Sequence, residues 1–194
     1  MKLSIVPLDN MRKADFYQVH SKENGEGWCN CVAWWLPTWD GWEQRSAEDN
    51  REFRNSLFER SEFDGYLLYL DERPIGWCQC GRRDRFSKLV NQSKLDPSPE
   101  TWAITCLVII PAYRKKGLTH IFLKEILIDL ENKGIQHVQS FPKCGPALSD
   151  GEVWTGPESL FVKAGFVVER AHPQWPIYGK RLGPPNYSSS RAVT

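Results

Sequence analysis

TWAITCLVIIPAYRKKGLTHIFLKEILIDLENKG, residues 101–134, carries three patterns in one run. Residues 103–110 are almost unbroken apolar and rich in β-branched side chains, which predicts a buried strand. Pro111 cannot donate to a ladder and closes that strand. A basic turn follows, made of Tyr113, Arg114, Lys115, Lys116 and Gly117. Beyond it Leu118, Ile121, Phe122, Ile126, Leu127 and Leu130 recur at three- and four-residue spacing, the mark of an amphipathic helix. Gly134 stands where a left-handed helix stop belongs.

A glycine-containing basic turn that opens a helix leaves the first backbone N–H groups unpaired, at the positive end of the helix dipole. Such an end takes an anion, and a phosphate fits it. Gly117 has no Cβ to hold a ligand off the backbone, and Thr119 can add a hydroxyl. The spacing is neither the G-x-x-x-x-G-K-[ST] of a nucleotide phosphate loop nor the G-x-G-x-x-G of a dinucleotide fold.

The run from Ile109 to Thr119, with Pro111, Tyr113, Arg114 and Gly117 in place, resembles the R/Q-x-x-G-x-G/A pyrophosphate loop of the GNAT superfamily, the acyl-CoA-dependent N-acetyltransferases. Thr119 departs from the usual Gly or Ala. A second segment, Ser159-Leu160-Phe161-Val162-Lys163-Ala164-Gly165-Phe166, looks like the family's L-Y-x-K-x-G-F helix-to-strand piece. The resemblance implies an α/β (α+β) GNAT fold, with a mixed, mostly antiparallel central sheet of six to seven strands flanked by about four helices. It also implies acetyl-CoA as co-substrate.

Size and charge agree with one such unit. A chain of 194 residues can bury about 70% of its unfolded surface in a single core. Residues 1–182 are read as one domain, and 183–194, GPPNYSSSRAVT, as a disordered tail. Charges nearly balance, 25 basic against 24 acidic, which argues against a dedicated nucleic-acid or membrane-surface protein. No apolar run approaches the ~20 residues of a membrane span. MKLSIVPLDNMRKADF lacks the long apolar region and cleavage site of a signal peptide. Six cysteines are then most simply the reduced thiols of a cytoplasmic protein.

Working outward from the central stretch, residues 3–8 predict a strand, and Asp9 or Asn10 caps a helix to about residue 20 through Met11, Ala14, Phe16 and Val19. Residues 28–36, WCNCVAWWL, have the content of a strand. A helix over 46–60 opens on a capping-box pattern and turns Phe53, Leu57 and Phe58 inward. Residues 66–70 and 74–80 form a hairpin, and 81–99 are loop-like with one helical turn at 87–91. A strand at 136–141, a loop at 142–156 and a short helix with Pro157 at its first position follow. Residues 166–170 and 177–182 pair as a closing hairpin.

The resemblance assigns roles. An amine attacks the thioester directly, with no protein nucleophile. The backbone amides of Arg114, Lys115, Lys116, Gly117, Leu118 and Thr119 hold the pyrophosphate. The N–H groups of Leu107, Val108 and Ile109 polarise the thioester carbonyl. In many relatives the tyrosine of L-Y-x-K-x-G-F protonates the leaving thiolate, but here that position is Phe161, so Ser159 is the substitute candidate. Glu100, Asp150, Glu152, Glu158 and His137 are candidate bases. Cys106 stands where relatives often place a polar or acidic residue and is read first as a small buried one.

Two C-x-C pairs, Cys29/Cys31 and Cys78/Cys80, invite a zinc reading, because period-two spacing on a strand turns both thiols to one face. Structural zinc sites favour two or more residues between paired cysteines, so the thiols are assigned to the core and no metal is expected. Trp28, Trp34, Trp35, Trp39 and Trp42 gather where family members line the acceptor pocket. Trp39 and Trp42, in a loop, offer aromatic faces to a cationic amine. The expected activity is acetyl transfer from acetyl-CoA to a primary amine of a small molecule. Protein or peptide N-acetylation and a non-catalytic acyl-CoA sensor are the alternatives, and a homodimer is left open.

Overall fold

The computed structural model of the chain describes residues 2–183 apart from 22, 23, 25, 26 and 150. Most of the expected tail, from 184 onward, and the candidate base Asp150 therefore lie outside the described residues.

The apolar run of the central stretch forms β4 (Thr101–Ile109), and the sheet is built outward from it. The other strands are β1 (Leu3–Pro7), β2 (Gly65–Leu70), β3 (Arg73–Arg82), β5 (His137–Ser140), β6 (Val167–Arg170) and β7 (Ile177–Arg181). They make one seven-stranded sheet in the order β1-β2-β3-β4-β5-β7-β6. Every neighbouring pair is antiparallel except β4 and β5. The α-helices are α1 (Lys13–Val19), α2 (Ala47–Glu59), α3 (Ser87–Gln92), α4 (Leu118–Asn132) and α5 (Glu158–Lys163). None of the described helices is long and apolar enough to cross a membrane.

Local sequence accounts for the helix ends. At the start of α2 the Asp49 N–H donates to Ser46 Oγ and the Ser46 N–H donates to Asp49 Oδ2, at 3.0 and 2.7 Å. That is the reciprocal cap the pattern predicted. At the end of α4, Gly134 takes φ +76°, the Ile135 N–H donates to the Leu130 carbonyl and the Gly134 N–H to that of Glu131. Both bonds together are a Schellman stop, which only a residue free to go left-handed closes without strain.

The two faces of the sheet differ. Tyr66 donates to Asp129 of α4 at 2.7 Å, which puts α4 on the face carrying Tyr66, Cys78 and, by register, Leu107 and Ile109. Helix α1 packs against β3 on the other face, where Trp77, Gln79 and Cys106 point. Helix α4 inserts Phe122, Leu123, Ile126, Leu127 and Leu130 into the core, while Ile121 is 42% exposed.

Two expectations fail. Residues 28–36 are not a strand: Asn30 and Cys31 have φ of 43° and 53°, and a single 3-10 turn, Ala33–Trp35, follows. A left-handed pair cannot be pleated, so Cys29 and Cys31 share no strand face and the geometric basis of the zinc reading goes with it. Aromatic content raises strand propensity only where a sheet edge is present to pack on. In α2 Leu57 and Phe58 turn inward as expected, but Phe53 is only half-buried and Asn50 and Arg54 are buried in its stead.

Candidate active site

The turn ahead of α4 leaves the helix start open. Pro111–Tyr113 form a 3-10 turn, Arg114 is extended, Lys115 goes left-handed at φ 61°, and Gly117 caps the helix at φ 72°. No side chain caps α4, and a Cβ built on Gly117 would meet nothing within 4 Å. The first N–H groups of a 15-residue helix thus face open space at the positive end of its dipole. Arg114 Nε donates to the Ile109 carbonyl at 2.8 Å, which ties this turn to the end of β4. Lys116 reaches back to the Ala112 carbonyl at 3.2 Å.

Beside that turn the sheet opens. β4 pairs with β5 only from Thr101 to Ile104, while β4 runs on to Ile109 and the chain after Ser140 leaves the sheet. Alternation along the strand aims the backbone groups of Thr105, Leu107 and Ile109 into this gap and those of Val108 toward β3. Two tryptophans close on it. The Leu107 N–H donates to the Trp154 carbonyl at 2.9 Å, Trp34 Nε1 donates to the Thr105 carbonyl at 3.2 Å, and the two indoles stack at 5.6 Å. Of the three expected carbonyl-polarising amides, Leu107 is engaged by the chain itself and Val108 faces the wrong way for a ligand in the gap.

On the α4 face next to the gap, register sets Ser140 beside Tyr178 of β7. Tyr178 donates to Glu158 Oε1, at the first turn of α5, and the Cys144 thiol also bonds to Glu158. The bond to Glu158, then burial, pushes the Tyr178 hydroxyl up to about 12. Burial, then the Glu158 charge, pushes the Cys144 thiol up to about 11. The Ser140 hydroxyl is fully buried and has no protein partner among the described residues. Phe161 is buried against Phe166 at 5.4 Å, and Ser159 is exposed.

The opposite face holds the tryptophan cluster. Trp39 contacts Trp34 and Trp42 edge to face at 5.6 and 5.8 Å, and Trp28 contacts Trp42 at 4.8 Å. Their cation is already present. Lys88 Nζ of α3 lies 3.7 Å from the Trp39 centroid and 4.9 Å from that of Trp42, buried and without a hydrogen-bond partner among the described residues. Burial, helped by the charge of Arg45, lowers the Lys88 amine to about 8.

The structure therefore sets residues 107–119 along the gap and the start of α4, Glu158 with Tyr178 on the α4 face, and Cys106 on the other side of the strand. It separates the remaining candidates. His137 opens β5 and binds Thr101 Oγ1 at 3.2 Å and Glu169 at 2.6 Å, at the end of the sheet away from Ile109. Glu100 is exposed just before β4, and Glu152 pairs with Lys143 at 2.7 Å, which holds its carboxyl down at about 2. Tyr178, Lys88, Trp154 and Ser140 are additions that sequence reasoning missed. Each reaches the site through sheet register or loop packing and not through local spacing. Among the described residues no three His, Cys, Asp or Glu side chains gather as a cation site.

Comparison with known proteins sets this geometry in context. The model of the Acetyltransferase (GNAT) family matches residues 28–145, more than half of the chain. Among solved structures, the PaiA N-acetyltransferase from Thermoplasma acidophilum in complex with coenzyme A is 16% identical, over 93% of this chain and 99% of that one, with a TM-score of 0.52. An acetyltransferase from Thermus thermophilus is 16% identical over 94% and 98%, at 0.56. The ribosomal-protein-S18-alanine N-acetyltransferase from Escherichia coli is 11% identical over the full length of both chains, at 0.51. At these identities the likeness is one of fold. The search of curated proteins finds no match.

Proposed function

The chain belongs to the GNAT family of acetyltransferases, and from that membership we propose that it transfers an acetyl group from acetyl-CoA to a primary amine of a small molecule. The observation that carries the donor half is the open, uncapped start of α4 with Gly117 left-handed at its tip. Backbone N–H groups from Arg114 to Thr119 would hold the pyrophosphate there. Lys115 and Lys116, both exposed, would add positive charge. The Ile109 N–H, aimed into the gap, would polarise the thioester carbonyl, joined by that of Leu107 once the Trp154 carbonyl gives way.

Holding amine and thioester together supplies several kcal/mol of the barrier. With phenylalanine at position 161, we assign protonation of the leaving thiolate to Tyr178. Its hydroxyl lies on the α4 face beside the gap and is oriented by Glu158. Cys106 and Ser159 are then left without a role in proton transfer. Tyr178→Phe should lower kcat by about tenfold or more, with little change in the KM for acetyl-CoA. Unchanged kcat would return the role to water. Residues 1–182 would act as one catalytic domain, in a cytoplasmic protein whose thiols are kept reduced.

Thermal unfolding with excess acetyl-CoA tests the cofactor. At about 100 times its Kd the ligand should stabilise by roughly 2.7 kcal/mol, a rise of about 5–10 °C. No rise at millimolar acetyl-CoA would overturn the proposal. One observation favours a second reading, a non-catalytic acyl-CoA sensor: the Leu107 amide is occupied by the chain's own Trp154. Binding without turnover of any amine in a broad screen would select it.

A further inference from the structure

A buried guanidinium needs a counter-charge. Arg54 is fully buried on α2, lies over the rings of Phe16, Phe58 and Trp77 at 4.4, 5.3 and 5.4 Å, and donates Nη2 to the Phe63 carbonyl at 3.1 Å. Among the described residues its Nε and Nη1 find no hydrogen-bond acceptor, and no carboxylate pairs with it. The nearby Asp64 is taken by Arg85 at 2.7 Å. His20, stacked on Phe16 at 4.1 Å beside the same rings, lies against the Cys31 thiol.

What enters this pocket is a thiol. Cys31 Sγ accepts from Trp77 Nε1 at 3.1 Å, and its carbonyl accepts from Gln79 Nε2 at 2.8 Å. Gln79 faces Cys106 across β3 and β4, and the Cys31 and Cys106 sulfurs lie in contact. Burial would raise the Cys31 thiol, but contacts with Cys106 and His20 and the charges of His20 and Arg54 outweigh it and hold the thiol well below its ordinary value. Cys106, Cys78, Cys80 and Cys144 are all pushed up. The group set beside Arg54 is the Cys31 thiol, whose ionised form these neighbours favour, and the second thiol lies against it.

We propose that Cys31 and Cys106 form a peroxide-reactive thiol pair that closes to an intrachain disulfide. The Cys31 thiolate attacks one oxygen of hydrogen peroxide. The O–O bond breaks, Cys31 becomes a sulfenic acid, and the hydroxide takes up the proton that the Cys31 thiol had released and leaves as water. Cys106 sulfur then attacks Cys31 sulfur and expels the hydroxyl, which leaves as a second water with the Cys106 thiol proton. Two thiols are oxidised and one peroxide is reduced. At 5% and 4% exposure both residues are buried, which closes the pair to a bulky oxidant. The bond would pin the 27–36 turn onto β4, one residue from Leu107. This chemistry stands apart from the acetyltransferase reading, and its readout does not use activity.

The test treats the reduced full chain with equimolar hydrogen peroxide, alkylates the remaining thiols, and maps the peptides by mass spectrometry. The first product should be the linked peptide pair containing Cys31 and Cys106, short of two hydrogens, with Cys31 consumed at least about tenfold faster than Cys144. Cys106→Ser should stop Cys31 at the sulfenic acid, trapped by a 1,3-dione, and Cys144→Ser should change nothing. Oxidation of Cys29 or Cys144 first, with Cys31 and Cys106 still alkylatable after denaturation, would overturn the proposal. So would a disulfide that uses Cys29 in place of Cys31. The map of the unaltered chain decides between these even if a serine variant fails to fold.

Discussion

The two faces of the sheet solve the problem of polar groups in opposite ways. On the α4 face the groups left open at the gap include backbone donors, the first amides of α4 and the Ile109 N–H. On the α1–α3 face they are long side chains buried in aromatic walls, Arg54 over Phe16 and Trp77, and Lys88 over Trp39 and Trp42. An open backbone site needs a ligand to complete it, whereas a buried cation beside rings is completed by the fold. The lesson is that one face leaves backbone donors open and the other is already occupied by its own cations. An amine that reaches Trp39 or Trp42 must compete with Lys88 there.

The largest effect should come from the closed face. Arg54→Ala removes a fully buried side chain packed on three rings and should cost about 3 kcal/mol or more in urea unfolding. Arg54→Met keeps most of the volume and should recover most of that stability. It should also raise the Cys31 thiol toward its ordinary value, read from the pH dependence of alkylation. If both variants were equally destabilised, the charge and not the packing would be what the core needs.

The open face should lose binding and keep stability. Gly117→Glu places an acidic side chain at a left-handed position in front of the helix, adding strain of about 1–2 kcal/mol and repelling a phosphate. The stabilisation by acetyl-CoA, roughly 2.7 kcal/mol at 100 times Kd, should disappear. Its retention would show that the turn is not the seat of the anion.

The smallest effect is a slope. Lys88 titrates near 8 in the fold against an ordinary 10.5, so between those values the unfolded chain binds more protons. Stability contributed through Lys88 is therefore reduced below pH 8 and recovers as pH rises from about 8 to 10.5. Lys88→Met should flatten that rise, by about 1 kcal/mol or less, in a series of unfolding midpoints. An unchanged slope would mean that Lys88 is not held apart from water by the two indoles.

What could be read from the chain was local. The β4 run, Pro111, the Gly117 turn, the apolar spacing of α4 and the Gly134 stop all act within a few residues, and strand, turn and helix followed as predicted. The capping box of α2 and the β2–β3 hairpin were legible for the same reason. Residues 28–36 misled because aromatic content was taken for a strand where Asn30 and Cys31 turn left-handed. The burial of Arg54 and Lys88 was not legible, because charge predicts solvent unless rings from distant segments enclose it. The donor half of the site is thus a property of one continuous stretch, since a helix terminus carries its own amides and dipole. What surrounds the gap was decided by packing, because Trp34, Trp154 and Tyr178 come from three separate segments, and only sheet register with loop and ring contacts brings them there.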